Sequence, residues 1–273
     1  MKKFIVILAV ACTAPTLATA NQGGPVSPHS FTANVAIVSQ YVFRGLTQTD
    51  GRPAIQGGFD YAHASGFYAG LWGSNVSWIT DGYASGASYS VELDTYAGWK
   101  FALPLDITLD VGFLRYNYPG HAPAGGFAAG TARPDTNEIY AAAGWKWVTL
   151  KYSYSLGDTF GVQDARGSDY IDLSAAVPLS DTGFTLSGHV GHQRYRGTNA
   201  ALWPAASGCT NSCLSYTDYR IGVNKEWLGI TFGLGFTTTD ARATAPDGTA
   251  IYANRFGTNI GRNQWIVSAQ KTF

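Results

Sequence analysis

The sequence predicts an all-β protein, a single antiparallel transmembrane β-barrel of twelve strands with short periplasmic turns and long outer loops. Three observations lead there. Alternating apolar and polar residues recur in stretches of about ten, the length a tilted strand needs to cross a bilayer. The connections between those stretches alternate between short and long. The last stretch, residues 262–273, carries Trp265, Val267, Ala269 and Phe273 on one face and Gln264, Ser268, Gln270 and Thr272 on the other, the form in which a barrel's closing strand ends.

From the amino terminus, Lys2 and Lys3 precede an apolar stretch at 4–11, and Ala18-Thr19-Ala20 has the small-x-small form of a signal-peptidase site. Residues 1–20 are therefore expected to be a cleaved signal peptide, residues 21–30 a short N-terminal segment and residues 31–273 the barrel. Cys12 as a lipoprotein acceptor is the weaker alternative, because the apolar stretch before it is short. After residue 20 no apolar run approaches the roughly 18 residues of a membrane helix. The composition, with 33 Gly, 16 Tyr, 8 Trp, 1 Met and 13% charged residues, suits many short strands flanked by interfacial aromatics better than a soluble surface.

Removing Lys2 and Lys3 leaves 16 basic against 18 acidic residues, a balance that gives no footprint for nucleic acid. Cys209 and Cys213 share a Gly/Ser/Asn-rich loop of an exported chain, so a disulfide is the expectation, and that loop lacks the ligands of a metal site.

In the first strand, at 31–43, Phe31, Val35, Ile37, Tyr41 and Phe43 are expected to face lipid, against Thr32, Asn34, Gln40 and Arg44. In the fourth, Val91, Leu93, Ala97, Trp99 and Phe101 alternate with Ser90, Glu92, Asp94, Tyr96 and Lys100. A one-residue slip would carry three charges into hydrocarbon, up to roughly 2–4 kcal/mol for Lys100 alone.

Short turns are expected near 63–65, 102–105, 147–148, 179–182 and 226–228. Long loops fall at 45–53, 77–88, 119–135, 158–167, 197–215 and 240–261. Parity then proposes registers: Val177 opposite Phe184 and Asp172 opposite His189, Val223 opposite Phe232, and Tyr96 opposite Gly112. Two aromatic girdles are expected, with Tyr61, Phe67, Trp99, Phe101, Trp145 and Phe184 near the short turns and Tyr41, Phe43 and Tyr154 near the long loops. A soluble β-sandwich shares the alternation but gives no reason for the order of loop lengths.

Four segments carry a family resemblance. They are Ser39-x-Tyr41-x-x-Arg44-Gly45-x-Thr47-Gln48-Thr49, Pro53-Ala54-x-Gln56-Gly57-Gly58-x-Asp60-Tyr61, Gly66-x-Tyr68-x-Gly70-x-Trp72-x-Ser74 and Glu92-x-Asp94-x-Tyr96-x-Gly98. Together they resemble the TorF-type putative porin family of proteobacteria. The resemblance covers roughly the first third of the chain after residue 20 and implies an outer-membrane barrel of presumed transport role. It implies no substrate.

Alternation places Arg44, Asp60, Glu92, Asp94, Lys100, Asp110, Glu138, Lys146, Lys151, Asp172, His189, Asp218 and Arg220 on the lumen face as pore-lining candidates. Either these mixed charges form a selective constriction for small polar solutes, or they pair and rigidify a nearly closed wall. Arg44, with Gly45 allowing a turn, either meets anionic groups at the pore mouth or pairs with Asp60. The expected Asp172/His189 pair with Ser174 and Ser187 nearby has the parts of a hydrolase triad, but no nucleophile motif accompanies it.

The expected function is thus passive diffusion of small polar solutes across the outer membrane of a Gram-negative bacterium. A non-conducting structural or surface-binding barrel is the alternative, and an acyl hydrolase a remoter one. Expected partners are the lipid bilayer with lipopolysaccharide, the barrel-assembly machinery through the strand ending at Phe273, the solutes, and a second copy if the barrel oligomerises. No cofactor or metal is expected.

Overall fold

The wall is one continuous antiparallel meander closed on itself. The structure is a computed structural model that describes residues 27–82 and 86–273, so the expected signal peptide lies outside the described residues. The first six strands are β1 (His29–Val38), the two-residue β2 (Val42–Phe43) and β3 (Leu46–Thr47), β4 (Ala54–His63), β5 (Phe67–Asn75) and β6 (Val91–Leu103). Then come β7 (Ile107–Asn117), β8 (Thr136–Trp145), β9 (Val148–Ser155), β10 (Asp169–Pro178), β11 (Phe184–Arg194), β12 (Tyr216–Trp227), β13 (Ile230–Thr239) and β14 (Gln264–Thr272). β2 and β3 form a separate hairpin; the other twelve strands pair in chain order, and β14 closes on β1 with Asn34 opposite Thr272 and Val38 opposite Ser268.

Closure pairs every wall strand on both edges, which is how a sheet meets the requirement that backbone polar groups in lipid be satisfied internally. Every wall strand also turns at least one large apolar side chain outward. Phe31 and Ile37 are exposed on β1, Ile55 on β4, Leu71 on β5, Trp99 on β6, Ile221 on β12 and Trp265 on β14. A monomer in water rarely exposes an apolar patch beyond a few hundred Å². A belt around an entire barrel is a hydrocarbon-facing surface.

Connections join strand ends in the expected short and long order, with boundaries moved by one or two residues except at the first long loop, which begins at Ser39 rather than Gly45. The hairpin registers differ from expectation by two residues while keeping the faces. Val177 pairs with Leu186 rather than Phe184, because the turn runs one residue further, through a 3-10 segment (Ser180–Thr182) to Gly183 at φ 70°. Val223 pairs with Leu234 rather than Phe232. That turn is Leu228-Gly229, at φ 52° and 72°, and a tight two-residue hairpin with positive φ at both positions favours Gly in the second. Tyr96 pairs with Gly70 on one side and Leu114 on the other, so Gly112 is not its partner.

Candidate functional site in the lumen

After β1 the chain leaves the wall. Tyr41, 4% exposed, and Phe43, packed against Tyr116 and Phe160 with ring centroids 5.5 Å away in each case, lie inside the barrel. The lipid-facing positions expected for both are corrected. Alternation fails here because β1 stops at Val38: Ser39 still bonds Val267 of β14, and the chain turns inward from Gln40, whose Nε2 donates to the Trp265 carbonyl. The Thr49 hydroxyl secures the base by donating to the Arg52 carbonyl at 2.6 Å while accepting from the Tyr41 N–H. At the tip, Arg44 has φ 45° and Gly45 φ 76°, and a Cβ on Gly45 would strike Thr239 and Asp218.

Arg44 does not meet Asp60. Its guanidinium donates to both oxygens of Glu138 at 3.1 and 2.8 Å and to Gln193 Oε1 at 2.7 Å, and it stacks 4.3 Å from the centre of the Tyr170 ring. Asp60 instead accepts from the Tyr96 hydroxyl. Tyr41 adds a second tie, donating to Glu92 Oε1 at 3.1 Å.

Around this hairpin the long-loop half of the lumen is sealed. Each wall strand presents a buried inward residue at that level: Val38, Ala54, Ser74, Asp94, Tyr116, Glu138, Ser155, Tyr170, Gln193, Asp218, Thr237 and Gln264. Glu92, Asp94, Glu138 and Asp218 are at most 1% exposed, so no water-filled passage runs past them among the described residues. Outside the belt the loops add a cap in which Trp203, Leu214, Tyr216 and Tyr252 pack with Leu46 of the hairpin. Cys209 and Cys213 are bridged, Cα atoms 5.8 Å apart, at its margin. Tyr252 donates to the Leu214 carbonyl, and burial holds its phenol well above the ordinary value.

Beneath the hairpin lies a cavity of about 390 Å³, bounded by Arg44 and lined by Asp60, Lys100, Asp110, Lys151, Asp172, His189 and Arg220. Solvent reaches most of these side chains, which are half-buried, and it does so from the short-turn end. Lys100 faces the Tyr68 ring at 5.6 Å and Lys151 the Tyr140 ring at 4.1 Å. The Tyr68 and Tyr140 hydroxyls are hydrogen-bonded to each other, and Tyr68 also donates to Asp110. Lys146 is outside this set: it occupies the exposed turn between β8 and β9, beside the Trp145 ring. Its place at a strand end, one residue beyond β8, removes it from the alternation.

His189 pairs with Ser174, and Asp172 with Gly191. The ring still reaches Asp172 diagonally, with Nδ1 2.6 Å from Oδ2, and its Nε2 lies 2.7 Å from Asp218 Oδ2. Both nitrogens therefore face carboxylates, and Ser187 pairs with Ala176 instead. The base-to-hydroxyl contact of a hydrolase triad is not formed.

Alternation put Tyr96 on the inward row over a glycine, although the glycine is Gly70 rather than Gly112; the lumen residues it did not single out are Tyr68, Tyr140 and Tyr170. Tyr96 covers Gly70, Tyr68 covers Gly98, Tyr140 covers Gly112 and Tyr170 covers Gly191, each ring occupying the space a Cβ would need. Their signal in the sequence is inward parity combined with an inward Gly one strand away. The Ser39-to-Thr49 segment of the resemblance is the hairpin itself, and the other three segments lie on or beside β4, β5 and β6.

The chain belongs to the family described as "Bacterial protein of unknown function (Gcw_chp)", matched over residues 22–273. Among solved structures it is similar to the NanC porin, with 10% identity over 89% of this chain and 98% of that one and a TM-score of 0.48. It is similar to OprD of Pseudomonas aeruginosa, with 13% identity over 91% and 67% of the two chains and a TM-score of 0.42. For the toluene transporter TodX of P. putida the values are 11% identity, 91% of each chain and 0.43. At such identities the likeness concerns fold and assigns no solute. No curated protein matches the sequence.

Proposed function

We propose that this barrel is a gated porin-like channel of the Gram-negative outer membrane, passing small polar solutes by diffusion and closed in this conformation by the inward hairpin. The TorF-type resemblance agrees with that reading. The observation that carries it is the chemistry of the sealed belt. Both oxygens of Asp94 are buried without a hydrogen-bond partner among the described residues, beside Glu92, Glu138 and Asp218, which are at most 1% exposed. A buried polar group without a partner costs about 1–3 kcal/mol, more when charged. A permanent plug would serve better with apolar side chains, whereas a lumen that is periodically wetted gives these carboxylates their water.

A non-conducting surface barrel is the second reading, favoured by the closed belt. Planar-bilayer recording separates the two. Wild type is expected to show rare, brief openings, and Arg44→Gln, which frees the hairpin tip, a several-fold higher open fraction. Silence in both proteins, with folded barrels inserted, would refute the channel.

A further inference from the structure

Nine of the eleven arginines lie at the long-loop end, and all five lysines after residue 27 lie in the strands or short turns. Six of these nine are organised around three aspartates. Asp135 sits between Arg133, with Nε at 3.2 Å, and Arg115, with Nη2 at 3.7 Å. Asp169 accepts two bonds from Arg194, at 2.9 and 3.0 Å, and one from Arg196 at 3.2 Å. Asp81 likewise joins Arg52 and Arg255. Each group carries one net positive charge.

The first two groups have a defined place on the outer wall. On β7 the outward row runs Leu109, Val111, Phe113 and then Arg115; on β11 it runs Leu186, Val190, His192 and then Arg194. The clamps thus stand at the margin of the apolar belt, where headgroups meet hydrocarbon. Asp169 is 6% exposed by side chain while Arg194 and Arg196 are 47% and 49% exposed; Asp135 is 19% exposed while Arg115 and Arg133 are 41% and 53%. The carboxylate is thus mostly covered and its two guanidiniums keep outward N–H groups. Arg115 is held further by Asn117 and Asn137.

We propose that these two Arg–Asp–Arg clamps bind phosphate groups of lipid headgroups in the leaflet at the long-loop end. Arginine presents a planar fork that matches phosphate, and preorganisation by the aspartate reduces the ordering cost that a free side chain would incur. Arg115 leans from β7 toward Asp135 at the start of β8, and Arg194 leans from β11 toward Asp169 on β10, so the clamps lie two to four strand spacings apart, about 10–19 Å. One glycolipid headgroup with two phosphates spans that interval. The site is independent of the channel reading, since binding requires only a folded barrel.

The test is binding of a bisphosphorylated disaccharide glycolipid, lipid A, to the refolded full chain in a phosphate-free detergent, counted by native mass spectrometry. The same lipid after phosphatase treatment and inorganic phosphate as competitor are the comparison arms. Wild type is expected to prefer the phosphorylated lipid at least ten-fold, with inorganic phosphate a poor competitor. Each arginine replaced by Gln in Arg115→Gln/Arg133→Gln or Arg194→Gln/Arg196→Gln lowers affinity about five-fold. Asp169→Asn adds net positive charge yet weakens binding, because it releases the forks. Equal binding of the dephosphorylated lipid, equally good competition by free phosphate, insensitivity of a variant that keeps its folded gel mobility, or tighter binding by Asp169→Asn would each overturn the proposal.

Discussion

Arg44 and Glu138 join the tip of a hairpin rooted between β1 and β4 to β8, four strands away around one side of the wall and seven around the other. Their side chains are 6% and 1% exposed. The pair is thus a buried tie across the lumen, and its worth lies less in net attraction than in what happens when one member is lost.

Glu138→Gln leaves the guanidinium buried against a neutral partner and is expected to destabilise the closed arrangement by about 3–5 kcal/mol. The double variant Arg44→Met/Glu138→Leu should recover most of that loss. Urea or guanidinium unfolding in detergent for the single and double variants gives the coupling, and strict additivity would show that the two side chains do not act as a unit.

Asp94→Asn should stabilise the barrel, unlike most substitutions at a fully buried position. Neither carboxyl oxygen of Asp94 has a hydrogen-bond partner among the described residues, and an amide removes a group that could ionise only at a high desolvation cost in this dry site, a gain of about 1–3 kcal/mol. Unfolding midpoints check the sign, and a fall in midpoint would mean that Asp94 is satisfied in the folded protein. The same variant should open less often in bilayer recordings.

Gly70→Ala should cost about 1–3 kcal/mol by overpacking, because its Cβ would lie about 2.6 Å from the Tyr96 ring atoms. Gly125→Ala, which has open space around it, should leave stability unchanged. Equal midpoints for the two variants would remove the tyrosine rings as wall-locking elements.

Cys209 and Cys213 are four residues apart in sequence, so their bridge constrains little of the unfolded chain. Replacing both with Ser should lower global stability by at most about 2 kcal/mol. Limited proteolysis should accelerate at residues 197–215, and an unchanged cleavage rate there would show that Asn211, whose side chain holds three backbone carbonyls, suffices to fix the loop.

The wall was legible because two-residue parity decides which side of a strand meets lipid, and Glu92, Asp94 and Trp99 lie on the expected sides. Register was not, because a two-residue shift preserves parity: Tyr96 faces inward whether it pairs with Gly112 or with Leu114. Deciding between them needs the turn backbone, which at Leu228-Gly229 depends on where positive φ is tolerated. The hairpin was hidden for a related reason. Val38 to Phe43 continues to alternate after the strand has ended, so Tyr41 and Phe43 read as girdle residues although they fill the lumen. Arg44 and Glu138, 94 residues apart, form a contact that only closure of the cylinder creates.

The dry belt also determines where a voltage applied across the barrel would fall. With electrolyte on both sides and in the half-buried cavity, the drop would concentrate over the short buried belt, and the charge of Arg44 sits within it. Each elementary charge carried fully through such a drop exchanges about 2.3 kcal/mol per 100 mV with the field. Reversing the polarity of a voltage applied in a bilayer recording is therefore expected to bias the hairpin tip toward one compartment or the other.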